Sequence, residues 1–329
     1  MMKKTAIALG IASMAFGAQA ADWMVTPDHK FEVNADVGAY YWQTKSSTGA
    51  QTSTVQGKGL NQIQLRSTKT IADGVKLIGQ IEVDFDPLQD NAMALSDDLR
   101  VGFDVPVYGR IVAGQYDSHY DDKVSEALGF WGVGENAYIA TPLSTFNSKN
   151  VEYYNKFGNF DIAVTAQFGY SDTALTNTSI GWSTTLGYKI GDLQIYAGNS
   201  QVPYIYSDAA GTTSVSAYGT STHSYTSGVT ANYLIDPTLK VAALTYSVQL
   251  LSGANYSYSG FAAEKTVEKW KFGASTQYVN LGGSNQVTQY AVGTNYTFAP
   301  NARVYLEINS LGATNGSGDD IEFGMKYTF

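Results

Sequence analysis

Along most of the chain apolar and polar side chains alternate one for one, the period of a β-strand that meets a different environment on each face. The stretch from Asp320 to Phe329 is the clearest: Ile321, Phe323, Met325, Tyr327 and Phe329 share one face, and Glu322, Gly324, Lys326 and Thr328 the other. A first strand is predicted over Phe31 to Trp42, with Phe31, Val33, Ala35, Val37, Ala39 and Tyr41 opposed to Glu32, Asn34, Asp36, Gly38 and Tyr40. The polar stretch Thr44 to Lys58 reads as a loop, and Leu60 to Ile71 returns as a strand. Asp73-Gly74 predicts a tight turn into Val75 to Phe85, whose Leu77, Ile81, Val83 and Phe85 oppose Lys76, Gln80, Glu82 and Asp84.

The rhythm of strand, tight turn, strand, long polar loop persists to the end. Short connections fall at Pro106 to Gly109, Gly158-Asn159, Gly191-Asp192, Asp236-Pro237 and Ala299-Pro300-Asn301, and the alternate connections are longer and rich in Ser, Thr, Gly and Asn. All 7 Pro residues lie in leads, loops or turns, where no ladder hydrogen bond is lost. Counting alternating segments gives about 16, each on the order of 10 residues, the even number and length that tilted membrane strands require. Apolar faces are clear in Phe160, Ile162, Val164, Ala166 and Phe168, in Trp182, Leu186, Tyr188 and Ile190, and in Val304, Leu306 and Ile308. The weakest segment is Asn255 to Lys265, whose apolar face is Tyr256, Tyr258 and Ala262; without it the count falls to about 14 by parity. No run approaches the ~18 apolar residues of a spanning helix, and the other spanning solution is a closed barrel with every backbone group paired. The expected fold is all-β, a transmembrane antiparallel barrel of about 16 strands forming one domain over 21–329.

Residues 1–20 read as an export signal: Lys3 and Lys4, the apolar run Ala6 to Ala12, and small residues Ala18-Gln19-Ala20 before Ala21. Setting that segment aside removes two positive charges from a formal −9, leaving −11. With 24 Tyr, 14 Phe, 33 Gly and 15 % charged residues, the composition suits strands with aromatic ends. Absence of Cys removes disulfides and thiol chemistry, and an acidic chain without a basic run makes nucleic acid an unsuitable partner.

One connection stands apart. Ser118 to Asn147 carries Asp121, Asp122, Glu126 and Glu135, just after Asp117, together with Leu128, Phe130, Trp131 and Val133. Those apolar residues find burial if the loop folds into the barrel and packs on its wall, leaving the carboxylates toward the lumen. Candidate basic partners on the wall are Arg66, Lys76 and Arg100, which lie on polar faces, and Arg110, whose face the pattern leaves ambiguous. A charge on the lipid face costs about 2–4 kcal/mol at mid-depth, so these residues are expected to look at water. Catalysis finds no support: His29 and His223 lie outside any Ser, His and acid context, and His119 reads as a solvated loop residue. Neither Asn315 to Asp320 nor Asp97-Asp98 follows a calcium-loop pattern, so no metal or cofactor is expected.

Export signal, strand count, long third loop and terminal aromatic together resemble the Gram-negative general porins, over the whole chain after the signal. Tyr108 to Ser118 is similar to the family's strand into the constriction loop, and Asn147 to Tyr154 with Phe157 to Phe160 to the strand that leaves it. Where the family often carries an arginine before the aspartate, this chain reads Ala113-Gly114-Gln115-Tyr116-Asp117. The resemblance implies a homotrimer in the outer membrane of a Gram-negative bacterium, surrounded by its lipid and passing ions and small hydrophilic solutes. It also implies that Phe323, Met325, Tyr327 and Phe329 form the signal read by the barrel-assembly machinery. The acidic balance adds an expected weak cation preference. The alternative is a substrate-selective channel, for example one guiding sugars along aromatics such as Tyr40, Tyr154 and Tyr196.

Overall fold

The computed structural model describes residues 21–45, 49–56, 61–84, 95–125, 149–168, 180–203, 223–249, 255–280, 286–310 and 319–328. The expected signal segment, Glu126, Glu135 and Phe329 therefore lie outside the described residues. The first strands are β1 (Ala21–Thr26), β2 (His29–Lys45), β3 (Gln51–Gln56), β4 (Gln62–Ala72), β5 (Val75–Asp84) and β6 (Leu95–Val105). They continue as β7 (Gly109–Gln115), β8 (Lys149–Phe157), β9 (Phe160–Phe168), β10 (Ile180–Ile190), β11 (Leu193–Pro203) and β12 (His223–Asp236). The series ends with β13 (Leu239–Gln249), β14 (Asn255–Val267), β15 (Trp270–Asn280), β16 (Gln286–Ala299), β17 (Ala302–Ser310) and β18 (Asp319–Thr328).

Each strand from β4 to β18 pairs antiparallel with the next, and β18 pairs with β2 (Phe323 opposite Tyr41), which closes the sheet. Eighteen segments make a barrel of 16 strands because two positions are each shared by two segments. On one edge of β2, β4 covers His29 to Asp36 and β3 covers Tyr40 to Lys45. On the other, β18 covers Asp36 to Lys45, and β1 continues its line with Ala21 opposite Val33. The stretch expected as a loop from Thr44 to Lys58 is thus strand over Thr44, Lys45 and Gln51–Gln56 of its described residues; Thr44, Thr52, Ser53 and Thr54 hide a β-ladder because they meet water at the barrel's end.

Side-chain burial is inverted relative to a soluble domain. Along β17, Leu306 is 40 % exposed, Glu307 0 % and Ile308 44 %. The exposed apolar side chains belong to the outer face, where lipid covers them, and most of the buried ones, about half of them polar, face the lumen. Phe160, Val164 and Phe168, Trp182, Leu186, Tyr188 and Ile190, and Ile321, Phe323 and Met325 are all on the outside, as the alternation required. The segment β14 is the exception. Tyr258 and Ala262 are buried on the lumen side, and Ser257, Ser259, Phe261 and Ala263 face out. The faces are the reverse of those expected, because here the lumen wall is the apolar side: Leu244, Tyr246 and Val248 of β13 pack with Tyr258, and the Tyr246 and Tyr258 rings stack at 4.4 Å.

The expected short turns lie at one rim. Asp73 and Gly74 take positive φ (46° and 79°), as a tight hairpin turn demands. A turn at Glu268-Lys269 joins β14 to β15 without a Gly or Pro to announce it; Glu268 itself adopts φ 54°. The long connections leave from the opposite rim.

Candidate constriction site

Beyond β7 the chain leaves the wall. Tyr116 turns back so that its hydroxyl donates to the Val112 carbonyl at 3.1 Å. Ser118 Oγ donates to Asp121 Oδ2 at 2.9 Å and the Asp122 amide to the Ser118 carbonyl at 3.2 Å, opening a single π-helical turn, Asp121–Ser125. This turn rests not on its neighbours in the sheet but on the far wall. Thr230 Oγ1 of β12 donates to the Lys123 carbonyl at 2.7 Å, and Tyr120 and Val124, both almost fully buried, pack there with Tyr196 of β11. Room for them comes from two glycines. A Cβ at Gly198 would sit 2.7 Å from the Tyr120 ring, and one at Gly228 2.7 Å from Val124 Cγ1, so only bare backbone admits the loop at this depth. These residues lie on the lumen face, opposite the exposed Tyr225, Val229 and Tyr233. The described start of the connection, through Ser125, therefore folds inward against β11 and β12.

The wall it departs from holds it too. Glu152 of β8, buried, accepts from the His119 amide at 2.9 Å and from Thr165 Oγ1 at 2.9 Å. Asn150 donates to the Tyr116 carbonyl. The His119 imidazole lies against Tyr154 (centroids 5.0 Å) and meets Tyr196 edge-on at 6.4 Å. It is packed between these rings rather than solvated. Burial pushes it down to about 4, with Lys123 acting in the same direction, so it is neutral at physiological pH. Glu152 carried no sequence signal beyond its inward parity.

Of the acidic candidates, Asp117 is half-buried where the chain leaves the wall, Asp121 is buried and bonded to Ser118, and Asp122 is exposed. The Asp122 charge acts on Arg100 of the wall, alongside the closer Asp98. The basic candidates fall into two layers. Arg66 and Arg100 flank Gln80 in register and join one network: Arg66 Nε donates to Gln80 Oε1 (3.1 Å), Gln80 Nε2 to Asp98 Oδ2 (2.8 Å) and Arg100 Nε to Asp98 Oδ1 (2.7 Å). Arg100 also lies over the Tyr116 ring at 4.8 Å. Lys76 and Arg110 flank Asp104 four residues nearer the short turns, roughly 13 Å along the strand. Register resolves the ambiguous face of Arg110: it points to the lumen, over the Tyr154 ring at 5.4 Å.

Carboxylates that the sequence reading did not single out line the same lumen. Gln62 and Gln64 both donate to Glu82, and Glu307 and Glu322 are buried cross-strand neighbours, with Asn309 donating to Glu307 at 2.7 Å and Tyr305 to Glu322. Period-two parity was the available signal for each. His29 Nε2 and Ser67 Oγ lie 2.8 Å apart near the short-turn rim, a pair invisible in sequence because β2 and β4 supply one residue each. Among the described residues no cluster of His, Cys, Asp and Glu has metal-binding geometry.

A closed 16-strand barrel with an apolar outer belt, a lumen lined by many polar side chains and a turn docked on its inner wall defines a transmembrane channel. The chain belongs to the Gram-negative porins, whose family model matches residues 5–316. It is accordingly an outer-membrane channel. No curated protein matches it in sequence. Solved structures of the same fold include Salmonella typhi OmpF in complex with daunomycin (TM-score 0.73, 14 % identity, 94 % of this chain and 100 % of that one). A loop-deletion mutant of Vibrio cholerae OmpT matches at 0.71 and 20 % identity, over 92 % and 100 % of the two chains. An anion-selective porin from Comamonas acidovorans matches at 0.71 and 14 %, over the same shares.

Proposed function

We propose that the channel passes ions and small hydrophilic solutes by passive diffusion, with a weak preference for cations. The observation that carries this reading is the docking of Asp121–Ser125 onto the lumen face of β12, with Asp122 exposed beside it. Asp117, Asp122, Glu126 and Glu135 supply the acidic side of the constriction, and Arg66 and Arg100 the basic side. Lys76 and Arg110 act deeper in the pore. Surplus carboxylates raise the local concentration of cations, and rings of charge of this kind tune which ions pass. The fold alone leaves the sign open, since the Comamonas relative is anion-selective. A reversal potential measured across a salt gradient is the test. Cation sign supports the reading; anion sign refutes the charge argument.

A sugar-guiding channel is less well supported. Such a track needs ring faces open to solute, and Tyr40 is buried with Tyr305, two strands away across Gly324, while Tyr196 is buried against the loop. Residues 1–20 act in this account as the export signal and 21–329 as the barrel domain. Phe323, Met325 and Tyr327, on or near the lipid face, with Phe329 serve the assembly machinery. The working unit is a homotrimer in contact with outer-membrane lipid, its barrels approaching through the small outward Ala39 of β2. Cross-linking of the native protein that yields monomer alone contradicts the trimer.

A further inference from the structure

The lumen charges are segregated along the pore axis. Toward the loop rim and mid-depth stand Glu82, Asp84, Asp98, Asp122, Glu307 and Glu322, opposed on the wall by Arg66 and Arg100. Within about four residues of the short turns the balance reverses. Lys30, Lys156, Lys271 and Lys326 each sit beside a carboxylate: Glu32 at 2.7 Å, Asp161 at 3.9 Å, Glu264 at 3.4 Å and Asp36 at 2.9 Å. Beyond those pairs, Lys76, Arg110, Lys189, Lys240 and Arg303 all lie on inward positions next to the short turns, with Asp104 between the first two. Lys76, Lys189 and Lys240 are exposed to the lumen water. The acidic residues of the short turns, Asp28, Asp73, Asp192, Asp236 and Glu268, belong to the rim itself, outside this layer, where Lys265 sits beside Asp236 at 3.3 Å and Lys269 follows Glu268. On β5 the two zones are carried by one strand: Lys76 and Glu82 are six residues apart, roughly 20 Å.

We infer that the pore is an electrical rectifier, an acidic outer zone in series with a basic vestibule at the short-turn, periplasmic mouth. This rests on the proposed cation preference of the outer zone and adds that the preference is not uniform along the axis. When the loop side is positive, cations enter through the zone that attracts them and anions enter through the vestibule that attracts them. Both accumulate where the zones meet, and conductance rises. With the opposite polarity both are withdrawn from that junction and conductance falls. For solutes, the vestibule draws anions to the periplasmic mouth while the outer zone opposes their passage. The effect needs a Debye length at least comparable with the lumen, about 10 Å at 0.1 M salt, and disappears near 1 M, where it is about 3 Å.

The test is the current–voltage curve of single pores in symmetrical salt, at voltages too low to close them. Orientation is fixed by Asn159→Cys, an exposed turn position in a chain without cysteine, through its reaction with an impermeant thiol reagent added to one side. At ~0.05 M salt the current with the loop side positive should exceed that of opposite polarity by about 1.5-fold or more, converging to equality near 1 M. The triple variant Lys76→Gln, Lys189→Gln, Lys240→Gln should lose most of this asymmetry and become more cation-preferring. Its conductance in 1 M salt reports that the pore is intact. Equal currents at low salt, asymmetry of the opposite sign, or asymmetry unchanged in the triple variant overturns the inference. The reversal potential separates this from the broader reading: cation sign with symmetrical currents refutes the segregation alone, and anion sign with asymmetrical currents refutes the overall preference alone.

Discussion

The latch between loop and far wall can be loosened without touching the barrel ladder. Thr230→Val removes the donor to the Lys123 carbonyl (2.7 Å) in a partly buried place, a loss of about 1–3 kcal/mol. Val124 is fully buried, and Val124→Ala deletes two methyl groups from it, at ~0.8 kcal/mol each and more if the cavity does not collapse. The two side chains act on the same turn, so the double variant is not strictly additive, but a combined loss of about 2–4 kcal/mol shifts the docking equilibrium by roughly 30- to 1,000-fold. Because both changes spare every strand-to-strand hydrogen bond, thermal unfolding of the barrel should stay near that of the parent. Single-channel recording in a planar bilayer reads the loop directly: open-state noise should rise, and brief excursions to other conductance levels should become frequent. If the double variant conducts with the parent's noise and amplitude distribution, the turn at Asp121–Ser125 does not hold the constriction.

Val164 is on the lipid face near mid-depth, so Val164→Arg should cost about 2–4 kcal/mol and lower the yield of assembled barrel, whereas Asn232→Arg, on the lumen face of β12, should assemble normally; thermal melts of the two variants compare them. His119 is held near 4 when docked and titrates near its ordinary ~6.5 when undocked. Between those values the undocked loop binds the additional proton, so docking weakens as pH falls from about 6.5 toward 4 and is insensitive to this group above that window. Channel noise recorded across that range should rise toward low pH in the parent and lose the trend in His119→Gln. Deletion of Phe329 should leave export intact and impair insertion into the outer membrane, seen by fractionation; normal insertion contradicts the assigned role of the terminal strand.

Fold class was legible because lipid outside and water inside impose period two on nearly every strand, and Pro and Gly mark most of the turns at one rim. What failed did so for identifiable reasons. At β14 the rule that apolar residues face lipid broke, since Tyr256 and Tyr258 belong to an apolar strip of the lumen wall and the outer face carries Ser257 and Ser259. The hairpin β2–β3 was hidden because its Ser and Thr side chains have loop-like composition. The candidate site was legible as a set of charges but not as a geometry. Arg66 and Arg100 share a layer through Gln80 and Asp98, contributed by three strands, and only register reveals it. The residues that position the loop, Glu152, Thr230, Gly198 and Gly228, come from β8, β12, β11 and β12, and no spacing in the sequence brings them together.

The central claim is that the lumen is an open aqueous path narrowed by an inward loop. Liposomes containing the purified protein, placed in iso-osmotic solutions of neutral sugars of increasing size, measure it most directly. The account predicts swelling whose rate falls steadily with solute size, rises linearly with solute concentration and does not depend on which sugar of a given size is used. An absence of swelling above protein-free liposomes, or saturation by a single class of sugar, contradicts it.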